Sequence, residues 1–194
     1  MNPTQNPIAL RSKKIITEVL LRLMAQYPYA EITVKHILLE AGISRKTFYR
    51  NFSSKDDVLD AYIEAILQSY VETLAENENY SFINMLDTIF DLCEEYKEFL
   101  LILREHGLLY LLLVKLNAII LTEHYKIAQC HLADQRNHLV DQLLSEYIVS
   151  FNIGGVWNII VRWLENGMKD SVDDIKKSIV YYLSDIKNID CREL

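Results

Sequence analysis

The chain has 194 residues, is 51% hydrophobic and carries a formal net charge of −7. That length fits one domain or two small ones, and that apolar fraction is enough for a sizeable core. No apolar run follows the positive charges of residues 1–14, so no secretory signal is expected; the most apolar stretch, 108–121, is broken by Lys115 and Asn117 and is shorter than the ~20 residues that span a bilayer. Cys93, Cys130 and Cys191 are odd in number and far apart, with no C-x-x-C pair, which points to a reduced cytoplasmic protein with structural thiols. Charge is uneven. Residues 1–55 hold nine Lys/Arg against three Glu, net +6, while the rest holds eleven against twenty-four acids, net −13. Such asymmetry suggests a polyanion partner for the basic part, set against the plainer reading of a solvated face.

Pro3, Pro7 and Pro28 all lie in the first 28 residues, and the Pro-free remainder, rich in Leu, Ile, Glu and Lys, predicts long helices. In residues 9–26, Ile15, Ile16, Val19, Leu20, Leu23 and Met24 form a helical stripe that ends at Tyr27-Pro28. Thr33 is the N-cap of a short helix that turns Val34, Ile37 and Leu38 inward and closes at Gly42. Ser44 caps "SRKTFYRNF", with Phe48 and Phe52 on an apolar edge and a basic edge beside it. Ser53, with Asp56 three residues on, is expected to cap a long helix to about residue 78. Ser81 opens a helix to about Glu94, Tyr96–Glu105 follows, and Gly107 breaks the chain before "LLYLLLVKLNAIILTEHY". A polar patch at 131–138 marks a bend before a long helix to Trp163 and Leu164, with Gly167 as its C-terminal cap. Ser171 and Asp174 start the last helix, with Val172, Ile175, Ile179, Val180 and Leu183 expected inward. No segment has strand periodicity. The fold expected is all-α, a three-helix N-terminal unit and a larger C-terminal bundle with about nine helices in total.

Two short helices joined by a tight Gly-containing turn make a helix-turn-helix, whose second helix enters the DNA major groove. Arg45 and Lys46 sit in the first turn of that helix, where cations oppose the helix dipole. A functional reason fits better, because Arg pairs bidentately with guanine and Lys reaches the same acceptors. Thr47 offers a hydroxyl and a methyl to thymine, and the Tyr49 hydroxyl suits a phosphate oxygen. Thr33 and Lys55 start flanking helices, where N–H groups and positive charge also suit phosphate. Lys35, Ser44 and Arg50 complete the set expected to face DNA.

"ITVKHILLEAGISRKTFYRNFSSKDDVL" resembles the DNA-binding segment of tetracycline-repressor-type (TetR family) regulators, over residues 9–60. Thr33, Ala41-Gly42-Ile43-Ser44, Phe48-Tyr49, Phe52 and Lys55 carry the likeness. Asn51 departs from it, since the family often has His there, which leaves that position's role open between packing and backbone contact. The resemblance implies an all-helical homodimer on a palindromic operator, with a DNA-binding domain over 1–54 and a domain for effector and dimerisation over 55–194. "FNIGGVWNIIVRWLENGMKDSVDDI" (151–175) is similar to the C-terminal segment of a subgroup common in low-GC Gram-positive bacteria, which includes regulators that partner a dihydroxyacetone-kinase subunit. Read from its residues, the same segment looks like an interface. Gly154 and Gly155 cost about 1 kcal/mol each in mid-helix, which close approach of another helix would explain, and Trp157 and Trp163 add apolar area. Packing inside one subunit is the alternative. With Phe151, Ile159, Ile175 and Ile179 they make the expected dimer interface.

His124, His131 and His138 recur every seven residues, near Glu123 and Cys130, but successive members of one helix would lie ~10 Å apart. No metal site and no cofactor are therefore expected. His106, beside Gly107, is either a helix-end residue or part of a ligand cavity. No G-x-x-x-x-G-K, G-x-S-x-G or H-E-x-x-H is present, so an enzyme is not expected. Two readings remain. One is a dimeric regulator binding double-stranded DNA, a ligand-responsive repressor with an unidentified small-molecule effector and no membrane association. The other is a helical adaptor or coactivator of the same fold that works through a protein partner.

Overall fold

The apolar stripe near the N-terminus forms helix α1 (Pro7–Met24). Its first residue is proline, whose missing N–H costs nothing at that position. The computed structural model describes residues 7–76, 82–131 and 138–186. After α1 comes a 3-10 turn, Tyr29–Glu31, which the sequence reading did not anticipate. Helix α2 (Val34–Ala41) starts at Thr33, whose side chain accepts from the His36 N–H while His36 accepts from the Thr33 N–H, a reciprocal cap. Gly42 ends α2 at φ 63°, in the left-handed region that glycine enters without strain. Helix α3 (Arg45–Asn51) follows its N-cap, Ser44.

Helix α4 (Lys55–Glu76) begins one residue later than expected. Ser54, not Ser53, accepts from the Asp57 N–H, and the Asp57 carboxylate takes the Ser53 N–H at 2.7 Å. Asp56 is free of that duty and instead accepts the Tyr29 hydroxyl at 2.6 Å. The C-terminal part contains α5 (Phe82–Glu95), α6 (Lys97–Glu105), α7 (Leu109–His131), α8 (His138–Glu165) and α9 (Val172–Ile186). Gly107 and Gly167, at φ 67° and 71°, turn the chain after α6 and α8. Ser171 accepts from the Asp174 N–H at the start of α9, as expected. Among the described residues there is no strand, so the fold is all-α.

Helix α1 packs on α2, α3 and α4; α4 then continues into the larger part, against α5 and α7, and α8 packs on α6 and α7. One buried apolar cluster runs the length of α4. From α4 it includes Val58, Leu59, Ile63, Leu67 and Tyr70, together with Ile16, Leu20 and Phe48 of the N-terminal helices and Phe90, Leu103 and Leu164 of the C-terminal ones. Helix α4 therefore links the N-terminal helices to the C-terminal ones. Val180, expected inward, is 43% exposed. The expectations for Ser81, Leu183 and Cys191, and those for the side chains of Glu123, His124, Cys130, His131 and His138, lie outside the described residues. Among the described residues no group of His, Cys, Asp or Glu could hold a metal, and no helix is long and apolar enough to cross a membrane.

Candidate nucleic-acid interface

The second helix of the motif is only seven residues long and cannot stand alone, since short helices are marginal in water. Two devices hold it. Ser44 accepts from the Thr47 N–H at 3.1 Å, and the two hydroxyls lie 2.9 Å apart. Phe48 is fully buried, edge-on to Tyr49 and tilted against Phe52. With the apolar edge turned in, Arg45, Lys46 and Arg50 are left on the outside, with Lys35 exposed on α2. Among the described residues no acid pairs with any of these four, whereas Arg22 is held by Glu40 at 3.2 Å and Lys14 by Glu18 at 3.9 Å. Cations without an internal partner keep their full attraction for an external anion. Tyr49 is half-exposed on the same helix. At the departing position, Asn51 donates through Nδ2 to the Thr47 carbonyl of its own helix at 2.7 Å.

Lys55 has an internal task that the sequence reading missed. Its Nζ donates to the carbonyls of Tyr29 and Ile32, the latter at 2.8 Å, and lies 4.3 Å from the Tyr29 ring centroid. The ammonium has three N–H groups, so one is left for a phosphate. Lys55→Met keeps the apolar stem and removes the donors. It is expected to lower stability by about 1–3 kcal/mol, measured by urea denaturation, as well as weakening binding to every duplex. Weaker binding with unchanged stability would make phosphate contact its main role.

Residues 16–62 match the family described as bacterial regulatory proteins, tetR family, and residues 80–185, more than half of the chain, match a transcriptional regulator C-terminal region. This chain belongs to the tetR family. It is a helix-turn-helix transcription regulator, not an enzyme. Its fold is similar to that of the fatty acid degradation regulator FadR from Bacillus halodurans, at TM-score 0.54 and 16% identity over 90% of this chain and 93% of that one. It is also similar to DhaS, the dihydroxyacetone kinase operon activator, at TM-score 0.50 and 23% identity over 92% and 97%. No match was found among curated protein sequences.

Two further features of this tetR-family regulator bear on its use. A cavity of about 40 Å³ lies among α4 to α8, with Leu67, Cys93, Phe99, Leu112 and Trp157 in its apolar wall. Burial pushes the Cys93 thiol up to about 12, so it stays protonated and behaves as an apolar side chain. The second feature is a set of exposed apolar side chains on α8, with others on α9. Phe151 is 69% exposed and Tyr147 is 71%, with Ile148 beside them and Tyr181 and Tyr182 exposed on α9. Gly155 is exposed, Gly154 is half-buried, and a Cβ built on either would meet no atom within 4 Å. Among the described residues, none crowds the space beside these two glycines.

The expected interface set is thereby divided. Trp163 is a correction. It is 3% exposed, edge-on to Phe90 at 5.4 Å, with its indole N–H on the Asp170 carbonyl at 2.9 Å, so it belongs to the core of its own chain. Trp157 faces the cavity, and Ile159, Ile175 and Ile179 are half-buried against the core. Tyr147, Ile148, Tyr181 and Tyr182 are exposed apolar residues outside that expected set. The spacing of Tyr147, Ile148, Phe151 and Gly155 along one face of a helix is the sequence signal that could have found the first two.

Proposed function

We propose that this regulator binds palindromic duplex DNA as a homodimer in the cytoplasm and acts as a ligand-responsive repressor. The observation that carries the reading is the set of unpaired cations on the outer face of α2 and α3. In this reading Arg45, Lys46 and Thr47 face base edges, while Thr33, Lys35, Ser44, Tyr49, Arg50 and the third N–H of Lys55 hold the backbone. Genomic fragments selected by the protein supply the operator. On that duplex, Arg45→Ala and Lys46→Ala are each expected to lose about 1–3 kcal/mol of discrimination between operator and scrambled DNA. Selection of no preferred sequence would instead favour the helical adaptor, which has no use for these cations. The structural neighbour DhaS is an operon activator, so the sign of regulation is read from an operator-driven reporter.

In this reading the second copy packs on the open face of α8, around Phe151, Gly154 and Gly155, where exposed apolar surface meets missing side chains. Phe151→Asp is expected to cost association about 2 kcal/mol or more, seen as monomer in sedimentation velocity. An unchanged dimer would move the interface elsewhere. Dimerisation there sets the spacing of the two α3 helices against half-sites ~34–36 Å apart or a multiple. The cavity is far smaller than the ~300–1,000 Å³ of a drug-sized ligand site. An effector entering it must part α4 from its neighbours and so alter that spacing, which requires effector and DNA to weaken each other's binding equally.

A further inference from the structure

His106 follows α6 as its C-cap, yet its ring lies in the other part of the molecule, between the end of α1 and the 3-10 turn. Nε2 is 2.8 Å from the Met24 carbonyl oxygen, and Nδ1 is 3.4 Å from the Tyr29 nitrogen. A carbonyl only accepts and a backbone N–H only donates, so the ring's roles are set by its partners. Nε2 carries the hydrogen and Nδ1 is bare. Only the neutral ring in this one tautomer makes both bonds. An imidazolium would turn a second N–H toward that of Tyr29 and lose that bond.

Both partners matter to the reading head. Met24 closes α1, where helix carbonyls lack a helical donor. Tyr29 is the point on which three elements converge. Its N–H goes to His106, its carbonyl receives Lys55, and its hydroxyl donates to Asp56. On the far side of the same turn of α6, Arg104 donates to the Leu164 carbonyl of α8. The last turn of α6 is thus pinned to the C-terminal bundle by one side chain and to the DNA-reading head by another. Around the joint stand Lys55, Asp56 and Asp60 of α4, Tyr110 of α7, and Arg104 and Glu105 beside the ring, while Arg22 of α1 is held by Glu40. Carboxylates, ammonium groups and guanidinium groups ordinarily keep their charge from about pH 5.5 to pH 8. Burial and Asp56 hold the Tyr29 hydroxyl protonated throughout.

We propose that His106 is the positioning residue that locks the DNA-reading head to the C-terminal helices, and that the lock holds only while the ring is neutral, making operator binding acid-sensitive. The operator half of this rests on the DNA-binding reading above; the lock itself does not. The test uses the full chain, at about pH 8 and about pH 5.5, which bracket the range where imidazoles ordinarily titrate. Long-range nitrogen–proton NMR should show the His106 ring as the Nε2–H tautomer at the higher pH. The Tyr29 amide should lose protection from exchange as the ring takes its proton. Fluorescence anisotropy on the selected operator should show wild-type affinity falling roughly 2- to 10-fold more, from high to low pH, than that of His106→Gln. That variant keeps an amide donor for Met24 and does not titrate. His36 also carries an imidazole, which accepts the Thr33 N–H, but it is common to both proteins and cancels in the comparison. An Nδ1–H tautomer, a Tyr29 amide indifferent to pH, or the same pH dependence in both proteins would overturn the proposal. If no duplex is bound at any pH, it is the DNA-binding reading that fails, and the NMR result alone supports or overturns the lock.

Discussion

Phe48→Ala is expected to lower stability by about 3–5 kcal/mol and to abolish operator binding while most of the C-terminal bundle stays folded. Phe48 is fully buried and is the one fully enclosed side chain of α3. Its ring contacts both Tyr49 and Phe52, and its backbone closes the first turn onto Ser44. A seven-residue helix has too few internal bonds to survive on its own, so the loss of this anchor leaves a cavity and frees the basic edge from its frame. Guanidinium denaturation followed by circular dichroism, with a gel shift on the same samples, measures both effects. A loss under about 1 kcal/mol with intact binding would mean that the Ser44 cap and Phe52 suffice to hold α3.

Trp163→Ala should cost as much, about 3–5 kcal/mol, at the opposite end of the molecule. The side chain wedges the end of α8 against Phe90 of α5, and its indole N–H holds the Asp170 carbonyl in the turn that leads to α9. Truncation removes both the packing and the anchor of that turn. Trp163→Phe keeps a six-membered ring against Phe90 but loses the hydrogen bond and three ring atoms, for a smaller loss of about 1–3 kcal/mol. Thermal unfolding by calorimetry gives the values, and Trp157 remains as a fluorescence reporter. A change of oligomeric state without loss of stability would return Trp163 to the interface, where the residue pattern first placed it.

Both residues show where sequence reading succeeds and where it stops. Phe48 was assigned to the core because a spacing of four from Phe52 puts two aromatic rings on one face of a short helix, whatever that helix packs against. Trp163 was misplaced because its neighbours along α8, Gly154 and Gly155 with Phe151, do lie on an open face. At 3.6 residues per turn Trp163 lies about 180° round α8 from Gly154 and about 120° from Phe151, so helical spacing already sets it apart from that open face, and what it packs against is decided by the tertiary fold.

The same division holds across the molecule. The sequence by itself determined whatever is settled within a few residues: the caps at Thr33, Ser44 and Ser171, the left-handed turns at Gly42, Gly107 and Gly167, the periodic stripes of the helices, and the separation of positive from negative charge along the chain. Even there a margin of one residue appeared, because Ser53 and Ser54 are equivalent caps in composition and only the reach of Asp57 chose between them. Tertiary structure alone decided the long-range polar contacts. Lys55 finds a carbonyl 26 residues away and His106 one 82 residues away. Backbone carbonyls are the same at every position and leave no mark in the sequence, so the side chain that will meet a given one is known only once the helices have packed.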